Sequence, residues 1–363
     1  MKIKHVGYSV MLSALLSAVA VAEGKVVNVY NWAEYLDPQV VEEFQKETGI
    51  KVNYDVYDSN EMLEAKLMSG SSGYDVVVPT GFFLERQVKA GIYAEIDRQQ
   101  LSNYGNLDQN IMNKIASHDP DNKHNVPYAW GTIGLGYNKQ MIEERLGDLP
   151  VDSLDLIFKP EVAAKLADCG IAVLDSPSEI VGIALNYLGI APNSEKKTDL
   201  KAASHLISGV RSNYKYFHSS KYLSDLANGD ICVVLGYGSD VLMAQSRAQE
   251  AGQGVEIDYV IPKEGSLVWF DLLAIPADAP HPQAAHQFLN YILRGENHAS
   301  ISNYALTAVA NKAAMPYLLE EVSTNPGIYP TAEVTQKLFP MNAHSAKYDR
   351  LLTRAWSNIK TGR

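Results

Sequence analysis

Short apolar runs alternate along this chain with stretches in which apolar and polar residues share a helical spacing. The run Val26-Val27-Asn28-Val29-Tyr30 predicts a strand over 25–31, and Asp37-Pro38 then opens a helix over 38–47 that Gly49 ends. A second strand is expected over 50–56. Asp58-Ser59-Asn60-Glu61 reads as a capping box before a helix that stops near Gly70. A short buried strand over 74–79 and a helix over 83–89, with Gly91 behind it, complete a βαβαβα series. Such alternation predicts a mostly parallel sheet covered on both faces.

The second half repeats the theme after a change of texture. Tyr-Ala-Trp-Gly-Thr-Ile-Gly-Leu-Gly-Tyr over 128–137 is glycine-rich and β-prone, and it reads as a crossover between domains. A second α/β set follows over 173–260. Pro262-Lys263-Glu264-Gly265 is a turn, and the apolar strand expected over 267–275 carries the chain back to the first domain. Pro276, Pro280 and Pro282 lead into a helix over 286–293, and the last fifty residues show several short amphipathic helices. No repeat or low-complexity tract is present, and 363 residues suit two cores better than one.

At the N-terminus, Lys2 and Lys4 precede an apolar stretch over 10–21, and Ala20-Val21-Ala22 is a small-residue cleavage signal. Residues 1–22 therefore read as a secretory signal peptide, with Glu23, not a lipid-accepting cysteine, after the cut. An uncleaved anchor is the alternative, with an apolar stretch too short to span a bilayer comfortably. Losing Lys2 and Lys4 makes the formal charge of −11 more negative by two. That balance excludes nucleic acid as a partner, since phosphates need a basic surface. The two cysteines, Cys169 and Cys232, invite a disulfide in an oxidising compartment, with two buried thiols as the alternative. Without CxxC spacing they make no metal site.

Enzymatic signatures are missing: no GxSxG elbow, no HExxH, no P-loop, and nine scattered histidines. Gly134-Leu135-Gly136 lacks the third glycine of a dinucleotide fingerprint, and His218-Ser219-Ser220 suits a turn better than a nucleophile. No cofactor is called for. What the chain does carry is aromatic residues within three positions of a carboxylate: Trp32-Ala33-Glu34-Tyr35, Tyr237-Gly238-Ser239-Asp240 and Trp269-Phe270-Asp271. A carboxylate supplies charge and acceptors to an ammonium, and a ring face supplies apolar contact and cation–π attraction of roughly 0.5 to 2 kcal/mol. The pairing suits an organic polyamine cation. Trp32 and Glu34 also follow a predicted strand, at the carboxyl end where α/β sheets bind ligands.

Several segments together resemble the periplasmic putrescine and spermidine receptors of polyamine ABC importers. They are Val29-Tyr30-Asn31-Trp32-Ala33-Glu34-Tyr35, Glu47-Thr48-Gly49-Ile50-Lys51-Val52, Tyr74-Asp75-Val76-Val77-Val78-Pro79, Phe217-His218-Ser219-Ser220, Leu226-Ala227-Asn228-Gly229-Asp230-Ile231-Cys232, Ile261-Pro262-Lys263-Glu264-Gly265 and Asn325-Pro326-Gly327-Ile328-Tyr329-Pro330. The likeness is colinear from Val26 onward. It implies an α/β type II periplasmic solute-binding fold: two α/β lobes joined by crossover strands, with the ligand cleft between them. The lobes would be 23–131 plus 268–312 and 132–267 plus 313–363. It also implies a monomeric periplasmic receptor that hands its ligand to a membrane permease, without catalysis, and a disulfide between Cys169 and Cys232.

Carried over to these positions, the resemblance implies that Trp32 and Tyr35 line the first lobe, with Glu34 taking an amine. Glu179, Tyr237 and Asp240 would serve the second lobe as acid, wall and acid. Trp269 would be a second wall and Asp271 the carboxylate at the other end of the ligand. From the residues alone, Tyr237 and Trp269 read equally as core aromatics, and Glu34 and Glu179 as helix-start charges. Glu34, Tyr237 and Trp269 stand where putrescine receptors have aspartate, tryptophan and phenylalanine. Thr307 stands where relatives place a pocket tyrosine, and Phe82 where many have serine. Glu34 and Trp269 resemble spermidine-preferring members, so spermidine is expected to bind more tightly than putrescine, with agmatine, cadaverine or a sensing role as alternatives.

Overall fold

The first apolar run folds as β1 (Val26–Trp32), which pairs in parallel with β2 (Lys51–Tyr57) on one side and β3 (Val76–Val77) on the other. This arrangement comes from a computed structural model that describes residues 25–33, 35–57 and 59–362. The expected signal peptide over 1–22 and Glu34 lie outside the described residues. The helix Pro38–Thr48 starts where the Asp37 carboxylate accepts the Gln39 N–H, and it stops at Gly49, whose φ of +68° would strain a side chain. Ser59 caps the next helix, Asn60–Met68, by accepting from the Met62 N–H at 3.2 Å.

β4 (Val126–Asn138) is the glycine-rich segment, and it belongs to both halves of the molecule. Its second half enters a sheet with β5 (Ile171–Val173), β6 (Tyr214–Phe217), β7 (Val233–Tyr237) and β8 (Ile257–Val260), in the order β6-β5-β7-β4-β8. Its first half pairs antiparallel with β9 (Val268–Leu273), up to Thr132 opposite Val268. The partner changes at the next residue, Ile133, which faces Tyr237 of β7. β9 in turn meets β3 through bridges at Val77 with Ala274 and Thr80 with Asp271. The result is two α/β lobes joined by crossover strands.

A third connection runs beside the start of β9, where the Val268 N–H donates to Phe339 O at 2.9 Å. The chain then ends in the helix Ala346–Thr361, which packs on the second-lobe helices Pro177–Tyr187 and Lys197–Val210. The sequence assigned everything after 312 to the second lobe, but the segments Lys312–Tyr317 and Glu320–Ser323 stay with the first. There Ala314 and Leu318 close a small apolar cluster with Ala299 and Val309, and Asn303 bonds the backbone of Tyr317 and Leu319. Cys169 and Cys232 are joined, with Cα atoms 5.5 Å apart, and tie the entry of β5 to that of its neighbour β7.

Candidate ligand cleft

The two-residue period of a strand decides which side chains of β9 share a face. Trp269 and Asp271 lie on one side, and the fully buried Phe270 lies on the other. Trp269 can lie flat because it faces Gly131 of β4, where a built Cβ would overlap the indole carbon Cζ2. Asp271 is held from two directions: the Tyr35 hydroxyl donates to Oδ2 at 3.0 Å and the Thr80 hydroxyl donates to Oδ1 at 2.7 Å. Tyr35 is itself fixed by Tyr128, whose hydroxyl donates to the Tyr35 carbonyl and whose ring meets the Tyr35 ring at 5.3 Å. Trp32 sits at the carboxyl end of β1, its indole N–H donating to Val78 O at 2.9 Å and its ring tilted against Tyr57.

The second lobe contributes from strand ends and helix starts. Tyr237 is the last residue of β7, and its hydroxyl donates to Glu179 Oε2 at 2.8 Å. Glu179 lies in the first turn of the helix Pro177–Tyr187 and also bonds the Ser176 side chain. Asp240, in the first turn of the helix Gly238–Ala251, accepts from the fully buried Tyr222 hydroxyl at 2.6 Å. That same hydroxyl receives the Tyr237 N–H at 3.2 Å, so Tyr222 braces both cleft residues. Each of the three described acids thus carries a tyrosine donor.

Burial pushes the Asp271 carboxyl up to about 7, against the opposing effect of the Thr80 and Tyr35 hydroxyls, and the charge of Glu179 adds to the rise. Burial likewise raises Glu179, against the effect of Ser176 and Tyr237, with the charge of Glu61 raising it further. Asp271 and Glu179 sit on different lobes. Like charges drawn together in a place poor in water disfavour ionisation, and a cation between them reverses that. Trp269 Nε1 and Thr307 Oγ1 are buried and have no partner among the described residues. Phe82 borders a gap of about 10 Å³ beside Trp269, shared with Thr80, His118 and Met341, room for one water at most.

The structure therefore brings Tyr35, Trp269 and Asp271 together on one lobe, with Phe82 next to Trp269, and Glu179, Tyr237 and Asp240 on the other. Thr307 is buried beside Ala308, which bridges Trp130 of β4. Thr80 and Tyr222 were not foreseen. Thr80 directly follows the strand expected over 74–79, a strand-end position that could have flagged it. Tyr222 has no local signal.

Residues 39–330 match the family model described as bacterial extracellular solute-binding protein. The chain belongs to this family. Among its relatives is the putrescine-binding periplasmic protein of Escherichia coli (strain K12), 50% identical over 97% of each chain. Another is the putrescine-binding periplasmic protein of Pseudomonas aeruginosa (strain UCBPP-PA14), 48% identical over 99% of this chain and 100% of that one. A solved structure described as a putative spermidine/putrescine ABC transporter from Listeria monocytogenes superposes with a TM-score of 0.82 at 30% identity, covering 93% of this chain and all of that one. The solute-binding protein is thus a periplasmic protein of type II fold and not an enzyme.

Proposed function

We propose that this solute-binding protein captures a polyamine, putrescine foremost, and delivers it as a monomer to the membrane permease of an ABC importer. The observation that carries the reading is the set of carboxyls on facing lobes, the buried Asp271 on one and the buried Glu179 with the half-buried Asp240 on the other, between aromatic side chains. Two ammonium ends need acids at both ends of a cleft, and a methylene chain needs ring faces between them. In this reading Trp32, Tyr35, Tyr237 and Trp269 form the walls, Glu34 adds an acid on the first lobe, and Phe82 and Thr307 shape the margins.

The preference for spermidine expected from Glu34 and Trp269 is not supported by the relatives, which at about half identity are named for putrescine. Calorimetric titration of ligand-stripped protein with putrescine, spermidine, cadaverine, agmatine and butylamine tests the reading. Putrescine should bind saturably, and butylamine at least about thirty-fold more weakly, because one desolvated charge pair is lost. Equal binding of butylamine and putrescine, or no binding of any polyamine, would refute it.

A further inference from the structure

Thr80 occupies the N-cap position of the helix Gly81–Lys89, where a threonine hydroxyl ordinarily accepts a backbone N–H of the first turn. Here it makes no cap bond. It is held instead by Asn60, the first residue of the helix Asn60–Met68, a position where a buried amide gains the helix little. The Thr80 N–H donates to Asn60 Oδ1 and the Asn60 Nδ2 donates to Thr80 Oγ1, both at 3.0 Å. This reciprocal pair fixes the amide, since the flipped amide would oppose two donors. It also fills an acceptor site of the hydroxyl, whose one hydrogen then lies on Asp271 Oδ1 at 2.7 Å. Asn60 itself bonds none of the cleft acids among the described residues.

We propose that Asn60 is a positioning residue for the cleft: it holds the Thr80 hydroxyl out of its helix cap and directs the hydrogen onto Asp271, so that this carboxylate meets an ammonium charged and correctly turned. The inference rests on the amine-binding reading and adds to it a residue outside the cleft lining. Without Asn60 the Thr80 side chain is free to rotate into the cap, and Asp271 Oδ1 loses its donor. A hydrogen bond to the ionised form holds a carboxyl down, and its loss moves the carboxyl up. Among the described residues, the other groups acting on Asp271 are Glu179 across the cleft and the hydroxyls of Tyr35, Tyr57, Tyr128 and Tyr237, and Asn60 hydrogen-bonds none of them.

The test is a double-mutant cycle read by the titration of Asp271, followed by carbon-13 NMR of the carboxyl in ligand-free protein. Asn60→Ala should raise the Asp271 midpoint by about half to one pH unit. It should also weaken putrescine several-fold at pH 7, with the loss shrinking by pH 9, where Asp271 is ionised in both proteins. Thr80→Ser should keep the wild-type titration. In a Thr80→Val background, Asn60→Ala should cause no further shift, because the hydroxyl it acts through is gone. An unchanged midpoint in Asn60→Ala alongside a lowered Tm, or an equal shift in both backgrounds, would reduce Asn60 to a packing residue and overturn the proposal. If the wild type binds no amine while the cycle behaves as stated, the relay stands and the polyamine reading falls instead.

Discussion

Replacing Asp271 by asparagine should stabilise the empty protein at alkaline pH while destroying its affinity, and the size of the first effect follows from the burial of this carboxyl. In the folded chain Asp271 holds its proton up to about pH 7, whereas its ordinary value is 3.8. The sign is that of a raised group: its contribution to stability is complete below the unfolded value and is lost as pH rises through about 7. Three pH units at 1.36 kcal/mol each set the loss at about 4 kcal/mol. Asparagine has no charge to bury and avoids that loss. It offers one acceptor and one donor where the carboxylate offers two acceptors, so either the Tyr35 or the Thr80 hydroxyl must turn, at a cost of about 1 kcal/mol. Ligand-free Asp271→Asn should therefore exceed wild type by up to about 3 kcal/mol at pH 8.5, roughly 5 to 10 °C in Tm, and by less than about 1 kcal/mol at pH 5, where most of the loss has yet to accrue. Urea unfolding of both proteins at pH 5, 7 and 8.5, after removal of bound amine, reads the difference, in which contributions from the other acids cancel. Parallel stability profiles across that range would refute the reasoning, because they would mean that Asp271 is not a desolvated acid.

Three other outcomes follow from the same geometry. Reducing the Cys169–Cys232 bridge, whose sequence separation is 63, should lower stability by about 4 kcal/mol in the chain-entropy model, read as the shift in urea midpoint with and without reductant. Gly131→Ala should displace the Trp269 indole and weaken putrescine at least tenfold, at a stability cost of about 1 to 3 kcal/mol; unchanged calorimetric affinity would remove Trp269 from the cleft wall. Trp269→Phe should weaken putrescine several-fold, since a phenyl ring offers the methylenes and ammonium a smaller face than the indole, and an unchanged calorimetric affinity would show that this ring does not contact the ligand.

Elements with a local cause were legible in the sequence. The helix Pro38–Thr48 announces itself through Asp37, Pro38 and Gly49, and the crossover strand through its glycines among β-prone residues. Boundaries that depend on partners were not. The strand expected over 74–79 shortens to Val76–Val77, because only that stretch pairs with β1. The helix expected from His286 begins at Pro282, a first-turn proline that had been read only as a lead-in. The segments over 312–323 return to the first lobe through apolar contacts with Ala299 and Val309, which no spacing records. In the cleft, Trp269 and Asp271 were legible as alternate residues of one strand. The donors that hold the acids were not: Thr80 lies 191 residues from Asp271 in sequence, and Tyr222 lies 18 from Asp240 with nothing local to mark it.

The central claim, that acids on facing lobes hold the two ends of one diamine, is tested most directly by a crystal structure of the protein grown with putrescine. One ammonium should lie within hydrogen-bond distance of Asp271 and the other of Glu179 or Asp240, with the methylenes against Trp269 and Tyr237. A putrescine bound elsewhere, or one whose two nitrogens both contact a single lobe, would contradict the account.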